Sequence, residues 1–361
     1  MSIFEFSSEL NQQHKQLVWE YWNHTAWQNP AGIEKHLQRY QSKDANWFGF
    51  LPLNQFSSPT AQVDEFWLPL YKAFSDLQRQ THIFLGGSSS GKADGSPDNR
   101  YWVGGTGLFK GLFQQDWLIS HLRIPANQQP IQIRWAEFCR FEEARIVETY
   151  LMLDLVDFFE QIGHPVLPPC RGVPGIYLVP ITQDGVLKDK QEQGVTEASL
   201  QLIRDFLFKG LNLYDQNNLK SMGVADFFHQ DIKWYGPGGI GGCLSLKAFE
   251  DNHQKPWLIA FPDRKVCDLN SLFAEGNYVA SSGWKGVVAK HTGPYLGYPA
   301  SDKDICFNGI DFWRSESGKY VENWVFVDMI HLFGQMGIDL LKRLNFEGGR
   351  RCQHQNWNLL I

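Results

Sequence analysis

Two aspartates stand where acid–base chemistry could be done. Asp328 ends the run ENWVFVD and Asp154 ends VETYLMLD, 174 positions earlier, and an apolar helical pattern follows each at once (MIHLFGQMG and LVDFFEQIG). A carboxylate set among apolar side chains has its pKa raised and can then take an acidic proton from a carbon between carbonyls. The same residue at the same place is also a favoured N-cap, whose oxygen accepts a backbone N–H of the first helical turn. Capping favours the ionised form, against the raised pKa that a base requires. Both readings stand on the sequence.

Alternation along the strand before Asp328 puts Glu322, Trp324, Phe326 and Asp328 on one face, with Val321, Asn323, Val325 and Val327 on the other. The matching first set upstream is Glu148, Tyr150, Met152 and Asp154. The face that mixes aromatics with carboxylates is expected to wall a pocket, and the aliphatic face to meet another sheet. Trp234, Trp47 and Tyr235 join the pocket candidates, with core packing the alternative for the two tryptophans. Arg314 and Arg140 are expected to pair with Glu322 and Glu148 on neighbouring strands. Glu137 and Asp311 are a further duplicated pair of acids that alternation alone does not orient. His291 and His331 have no counterpart upstream and are expected at the surface.

These recurrences belong to a duplication. At an offset of 174, residues 124–163 lie over 298–337, with Val147/Val321, Glu148/Glu322, Phe159/Phe333, Gln161/Gln335 and Gly163/Gly337 identical. At an offset of 187, NWFG (46–49) lies over KWYG (233–236) and KAFSDLQR (72–79) over IAFPDRKV (259–266), so repeat 1 carries 13 extra residues between the blocks. The loop-like GGSSSGKADGSPDN (86–99) falls in that interval and reads as a mobile insertion. Each repeat opens with an amphipathic pattern (near 7–23 and near 196–212), continues with a shorter helical one (near 31–42 and near 216–227), then runs into β-rich segments and closes with a short helix. Helices first and an antiparallel sheet after them predict an α+β fold. The boundaries are repeat 1 at 1–163, a Pro- and Gly-bearing linker at 164–194, repeat 2 at 195–345 and a tail at 346–361.

Composition narrows the partners. A net charge of −6 with no block of like charges argues against a nucleic-acid binder. No run of 18 apolar residues suggests a membrane span, and a cytoplasmic location is expected. The six cysteines show no C-x-x-C spacing and are expected as free thiols, and no histidine pairing supports a metal. GGSSSGKA (86–93) misses the hydroxyl that a P-loop needs at Ala93, and GPGGIGG (236–242) lacks the parallel βαβ context of a dinucleotide site. The second motif reads as the glycine-rich rim of a pocket.

WYG (234–236), AFPDR (260–264), GYPAS (297–301) and RSESGKYVENWVFVD (314–328) with its QMG ending resemble the SnoaL-like polyketide cyclase family of the nuclear-transport-factor-2-like superfamily. Repeat 1 carries weaker versions in WFG, AFSD, IPAN and RFEEARIVETYLMLD with QIG. The resemblance implies two cone-shaped domains, each with helices over a curved sheet and a pocket between. It also implies an intrachain pseudo-dimer packed through the outer sheet faces, with further homo-oligomerisation open. On that resemblance Asp328 and Asp154 would be the acid/base of a cofactor-free aldol-type cyclisation of a small hydrophobic carbonyl compound. Tyr235 stands where family members often carry histidine, which argues against a histidine-assisted route. A non-catalytic binding protein, or a hydrolase or dehydratase on the same scaffold, are the alternatives.

Overall fold

The computed structural model describes residues 3–215, 218 and 220–344, so the predicted tail at 346–361 lies outside the described residues. Repeat 1 opens with the helix Ile3–Asn23 and the shorter helix Ile33–Tyr40. Its strands are β1 (Gln41–Phe48), β2 (Gln55–Phe56), β3 (Gln78–Ser88), β4 (Tyr101–Leu112), β5 (Trp117–Ile119), β6 (Leu122–Ile124), β7 (Pro130–Glu142) and β8 (Arg145–Leu153). Repeat 2 opens with the helix Gln193–Arg204 and adds β9 (Phe228–Tyr235), β10 (Gly242–Cys243), β11 (Lys265–Val266), β12 (Ser271–Glu275), β13 (Tyr278–Lys290), β14 (Asp304–Glu316) and β15 (Lys319–Val327). The sheets run in the order β2-β1-β8-β7-β4-β3 and β10-β9-β15-β14-β13-β11, with β12 also on β13. Both units are therefore α+β, as the element order predicts.

Strand registers make the duplication exact at the level of residue pairs. Trp47 faces Thr149 across the parallel β1–β8 pair, and Trp234 faces Asn323 across the parallel β9–β15 pair. Glu137 faces Leu151, and the matching Asp311 faces Val325. Caps are duplicated too. Ser58 Oγ accepts the Ala61 N–H at 3.2 Å, and Ser245 Oγ accepts the Ala248 N–H at 3.2 Å.

The two sheets meet through their outer faces. Phe138 and Phe312 occupy matched positions and pack on one another with ring centroids 5.4 Å apart, as self-complementary contact about a twofold axis requires. Tyr150 packs on Trp284 at 4.6 Å beside them. The segment between the repeats is pinned against both. Phe84 N–H donates to Gly185 O, Val173 and Gly242 exchange backbone hydrogen bonds, and Trp324 Nε1 donates to Leu178 O, each at 2.8 Å. Of residues 86–99, the stretch 90–93 is hydrogen-bonded to repeat 2. Ser90 N–H donates to Leu272 O at 2.7 Å, Ala93 N–H to Asp268 Oδ1 at 3.0 Å, and Lys92 pairs with Asp268.

This packing reverses the predicted faces of β15. Asn323, Val325 and Val327 look into repeat 2, beneath its helices, while Glu322 and Trp324 look outward to residues 178–181. Alternation separates the two faces of a strand but does not say which is concave when both are buried. The outer face here carries aromatics because it is itself an interface. His291, expected at the surface, is fully buried with Nδ1 3.0 Å from Ser301 Oγ, and His331 is half-buried. Five cysteines, Cys139, Cys170, Cys243, Cys267 and Cys306, are free thiols. Among the described residues no helix is long and apolar enough to cross a membrane.

Candidate functional site

The duplicated aspartates sit at the seam between the repeats. Asp154 Oδ1 accepts the Asp157 N–H of its own helix, Leu155–Gln161, at 3.0 Å, and Oδ2 accepts the Gly238 N–H of repeat 2 at 2.8 Å. Asp328 does the reciprocal thing. Its Oδ1 caps the helix Met329–Met336 through His331 N–H at 3.0 Å, and its Oδ2 accepts the Leu51 N–H of repeat 1 at 2.9 Å. Leu51 and Gly238 are themselves matched positions, 187 apart. A β-carbon on Gly238 would lie 2.3 Å from Asp157 N, so only glycine permits this approach.

Both carboxylates are thus spent on backbone donors and are buried, away from the cavity described next. Burial pushes Asp328 up to about 6, against the pull of the His331 and Leu51 amides. Burial raises Asp154 as well, opposed first by Arg134, whose Nη1 lies 3.3 Å from Oδ2. The predicted acid/base role therefore does not fit their position, and the cap does. Asp328→Ala should cost about 2–3 kcal/mol, combining a lost cap with a buried Leu51 N–H left unpaired. Asp154→Ala should cost more, because Arg134 loses a partner. Urea denaturation checks both, and a loss under about 0.5 kcal/mol would contradict the assignment.

The other pocket candidates divide in the same way. Glu322 pairs with Arg314 at 2.6 Å and Glu148 with Arg140 at 2.7 Å, the ion pairs the sequence suggests, on the outer sheet faces. Tyr150 donates to Glu148 Oε1 at 2.7 Å, Trp324 reaches residue 178, and Tyr235 packs on Trp324 with ring centroids 5.4 Å apart. None of these five lines the cavity. Trp47 is core, between Phe56 and Phe66. Trp234 does line it, and Phe326 contributes to its wall while packing its ring on Tyr177.

The cavity has a volume of about 160 Å³ and lies in repeat 2, between the concave sheet face and the helices. Its walls are mostly apolar, with Trp234, Trp257 and Trp313 among them, and its polar side chains include Asp311, Asn323, Ser281, His253, Gln254 and Tyr295. Ser281 on β13 sits directly across from Asp311 on β14, and Asn323 on β15 directly across from Trp313. Ser281, Asp311 and Asn323 therefore form one polar patch on the sheet floor, with Trp313 beside them. Pro237 and Ile240 of the glycine-rich segment form part of the wall, in keeping with the rim reading.

Repeat 1 shows why the space exists. There the matched volume is filled by the Arg79 guanidinium, which lies 5.0, 5.8, 5.0 and 4.4 Å from the rings of Trp22, Trp67, Phe109 and Trp135. Arg79 Nη2 pairs with Glu137 at 2.8 Å, both side chains being buried. In repeat 2 Trp135 is answered by Gly309, Trp67 by Gln254, and Arg79 by Val266, which faces Val287 as Arg79 faces Phe109. Four bulky groups are replaced by smaller ones, and Asp311 keeps the carboxylate of Glu137 without its cation.

Asp311 is consequently pushed up to about 7 by burial, with the Asn323 amide pulling the other way. A carboxyl group that titrates near neutrality inside an apolar cavity can both take and return a proton there. His253 stacks on Trp234 with centroids 4.3 Å apart and is pushed down to about 3 by burial, aided by Arg264, so its imidazole is neutral. Asp311 was visible in the sequence as a duplicated acid, whereas His253, Gln254, Ser281 and Trp313 were not singled out. The signal for Gln254 lay in the mismatch with Trp67 at an otherwise matched position.

Residues 211–336, which lie within the repeat that holds the cavity, match the family model of SnoaL-like polyketide cyclases. No curated protein matches the chain. Among solved structures, TsrD from Streptomyces laurentii is similar at 19% identity over 41% of this chain and 98% of its own, with a TM-score of 0.32. An NTF2-like protein from Burkholderia xenovorans LB400 is similar at 14% identity over 39% and 97%, with a TM-score of 0.30. A protein from Jannaschia sp. CCS1 described as SnoaL-like is similar at 12% identity over 41% and 97%, with a TM-score of 0.34.

Proposed function

We propose that the repeat-2 cavity binds a small, largely apolar carbonyl compound and that Asp311 is its acid/base. The observation that carries this reading is a carboxyl group poised at about 7 inside an apolar cavity, where the sister repeat places an arginine. The ionised carboxylate takes a proton from the carbon beside the carbonyl, and the C–H electrons move into the carbonyl to form an enolate. In an aldol-type cyclisation that carbon then bonds to a second carbonyl of the same molecule, and the new alkoxide recovers the proton from Asp311. Electrons and protons balance with nothing added. Conjugation in the substrate stabilises the enolate, so the reading asks for no cofactor. Trp313 Nε1, which lines the cavity and has no hydrogen-bond partner among the described residues, is a donor for the developing oxyanion, whereas the Asn323 amide already donates to Phe312 O at 2.9 Å.

The match of residues 211–336 to the cyclase family supports the aldol form over other proton transfers. The test uses 2-tetralone, an apolar two-ring ketone with an activated methylene, and follows its deuterium exchange by NMR. Wild type should accelerate exchange over buffer, and Gly309→Trp, which copies the ring that fills repeat 1, should abolish the acceleration. Unchanged exchange in a folded Gly309→Trp protein would remove the cavity from the reaction.

A further inference from the structure

Among the described residues, Arg264 is a buried cation without an anionic partner. Its side chain is only 5% exposed, and Nε and Nη1 have no hydrogen-bond partner among the described residues. The guanidinium lies 4.3 Å from the Tyr214 ring and 4.6 Å from the Trp257 ring. Burial pushes its pKa down to about 10, so it remains charged at neutral pH. Keeping an unpaired charge out of water is costly, and aromatic faces offset only part of that cost. The fold does not ask for it either, since the matched position in repeat 1 is Leu77.

What Arg264 touches lies against the cavity. Its Nη2 points at the Met222 sulfur, 2.8 Å away, and Gln254 Nε2 points at the same atom from 3.7 Å. Met222, Gln254 and Trp257 all line the cavity. Two side-chain donors, one of them charged, thus converge on a thioether, which is a weak acceptor. Methionine is unbranched and has three rotatable bonds, so it can vacate this point at small cost. An anionic oxygen in its place would receive a charge-assisted bond from Arg264 and a second bond from Gln254. The positive charge is felt at His253 in the same wall, where it lowers the imidazole pKa further than burial alone does.

We propose that the ligand of this cavity carries a carboxylate, which displaces the Met222 thioether and pairs with Arg264 and Gln254. The proposal rests on the cavity being a ligand site. It narrows the substrate class to a carbonyl compound with an acidic tail, held by the tail at Arg264 while its reacting carbon faces Asp311.

The experiment compares 2-naphthoate with its methyl ester, using quenching of tryptophan fluorescence at about pH 7.5, where the acid is ionised. Wild type should bind the acid at least about tenfold tighter than the ester. Arg264→Met should bring that ratio close to one, and Arg264→Lys should keep part of it. A ratio near one in wild type overturns the carboxylate site and leaves the cavity reading standing. So does a preference that survives in Arg264→Met. If that variant does not fold, the wild-type ratio and the lysine variant still decide. Binding of neither probe overturns the cavity as a ligand site, and this proposal with it.

Discussion

Asp311→Asn should fold, keep its cavity, and lose at least about a hundredfold in the rate of proton exchange on a bound ketone. The amide is nearly isosteric with the carboxyl group and cannot take up the proton. In wild type the rate should rise with pH and level off with an apparent pKa near 7, the value to which burial pushes Asp311. Stability should move in the opposite sense. The folded-state pKa is raised from an unfolded value of 3.8, so the carboxyl group's favourable contribution is complete below about pH 4 and is lost as pH rises through 7. The asparagine variant should therefore match wild type near pH 4 and exceed it by about 2 kcal/mol at pH 8, allowing for the cavity's access to water. Rates and urea midpoints across that range are the measurements. A variant that loses stability at pH 8 would show that the ionised carboxylate is held by partners, and the acid/base assignment would fail.

The second large effect is expected in the other repeat. Arg79→Ala should cost about 3–5 kcal/mol, because it leaves Glu137 buried with no cation. It also withdraws the guanidinium from four aromatic rings that close around it. Replacing both partners, as Arg79→Met with Glu137→Gln, should recover most of the loss, since the penalty comes from a single unpaired charge. A double-mutant cycle in urea separates the pair from the packing. Arg79→Ala within about 1 kcal/mol of wild type would mean that the pair has little structural weight. In either case ligand binding by the folded protein should persist, because the open cavity is in repeat 2.

The duplication was legible in the sequence because identities recur at two fixed offsets, and the α+β order followed from where the periodicity changes. The cap at Asp154 and Asp328 was legible too, since a side chain that caps its own helix uses only local geometry. Its second oxygen was not. The bonds to Gly238 and Leu51 cross between repeats, and no local pattern encodes them. The face of β15 was misassigned for a related reason. Trp324 and Glu322 suit a pocket wall as well as an interface, and only the docking of the sheets decides between them. Asp311 was noticed as a duplicated acid, but its importance depends on what is missing around it. That becomes visible only when Gly309 is set against Trp135 and Val266 against Arg79.

The crossed aspartates have an evolutionary consequence. In a dimer of identical chains, any substitution that plugs one active site plugs its twin, so plugging is lethal to function and symmetry is enforced. Here the two halves share one chain and hold each other by reciprocal backbone contacts, and each can drift alone. One half is filled by an arginine and a set of indoles, and the other, held to it by the crossed aspartates, keeps a cavity.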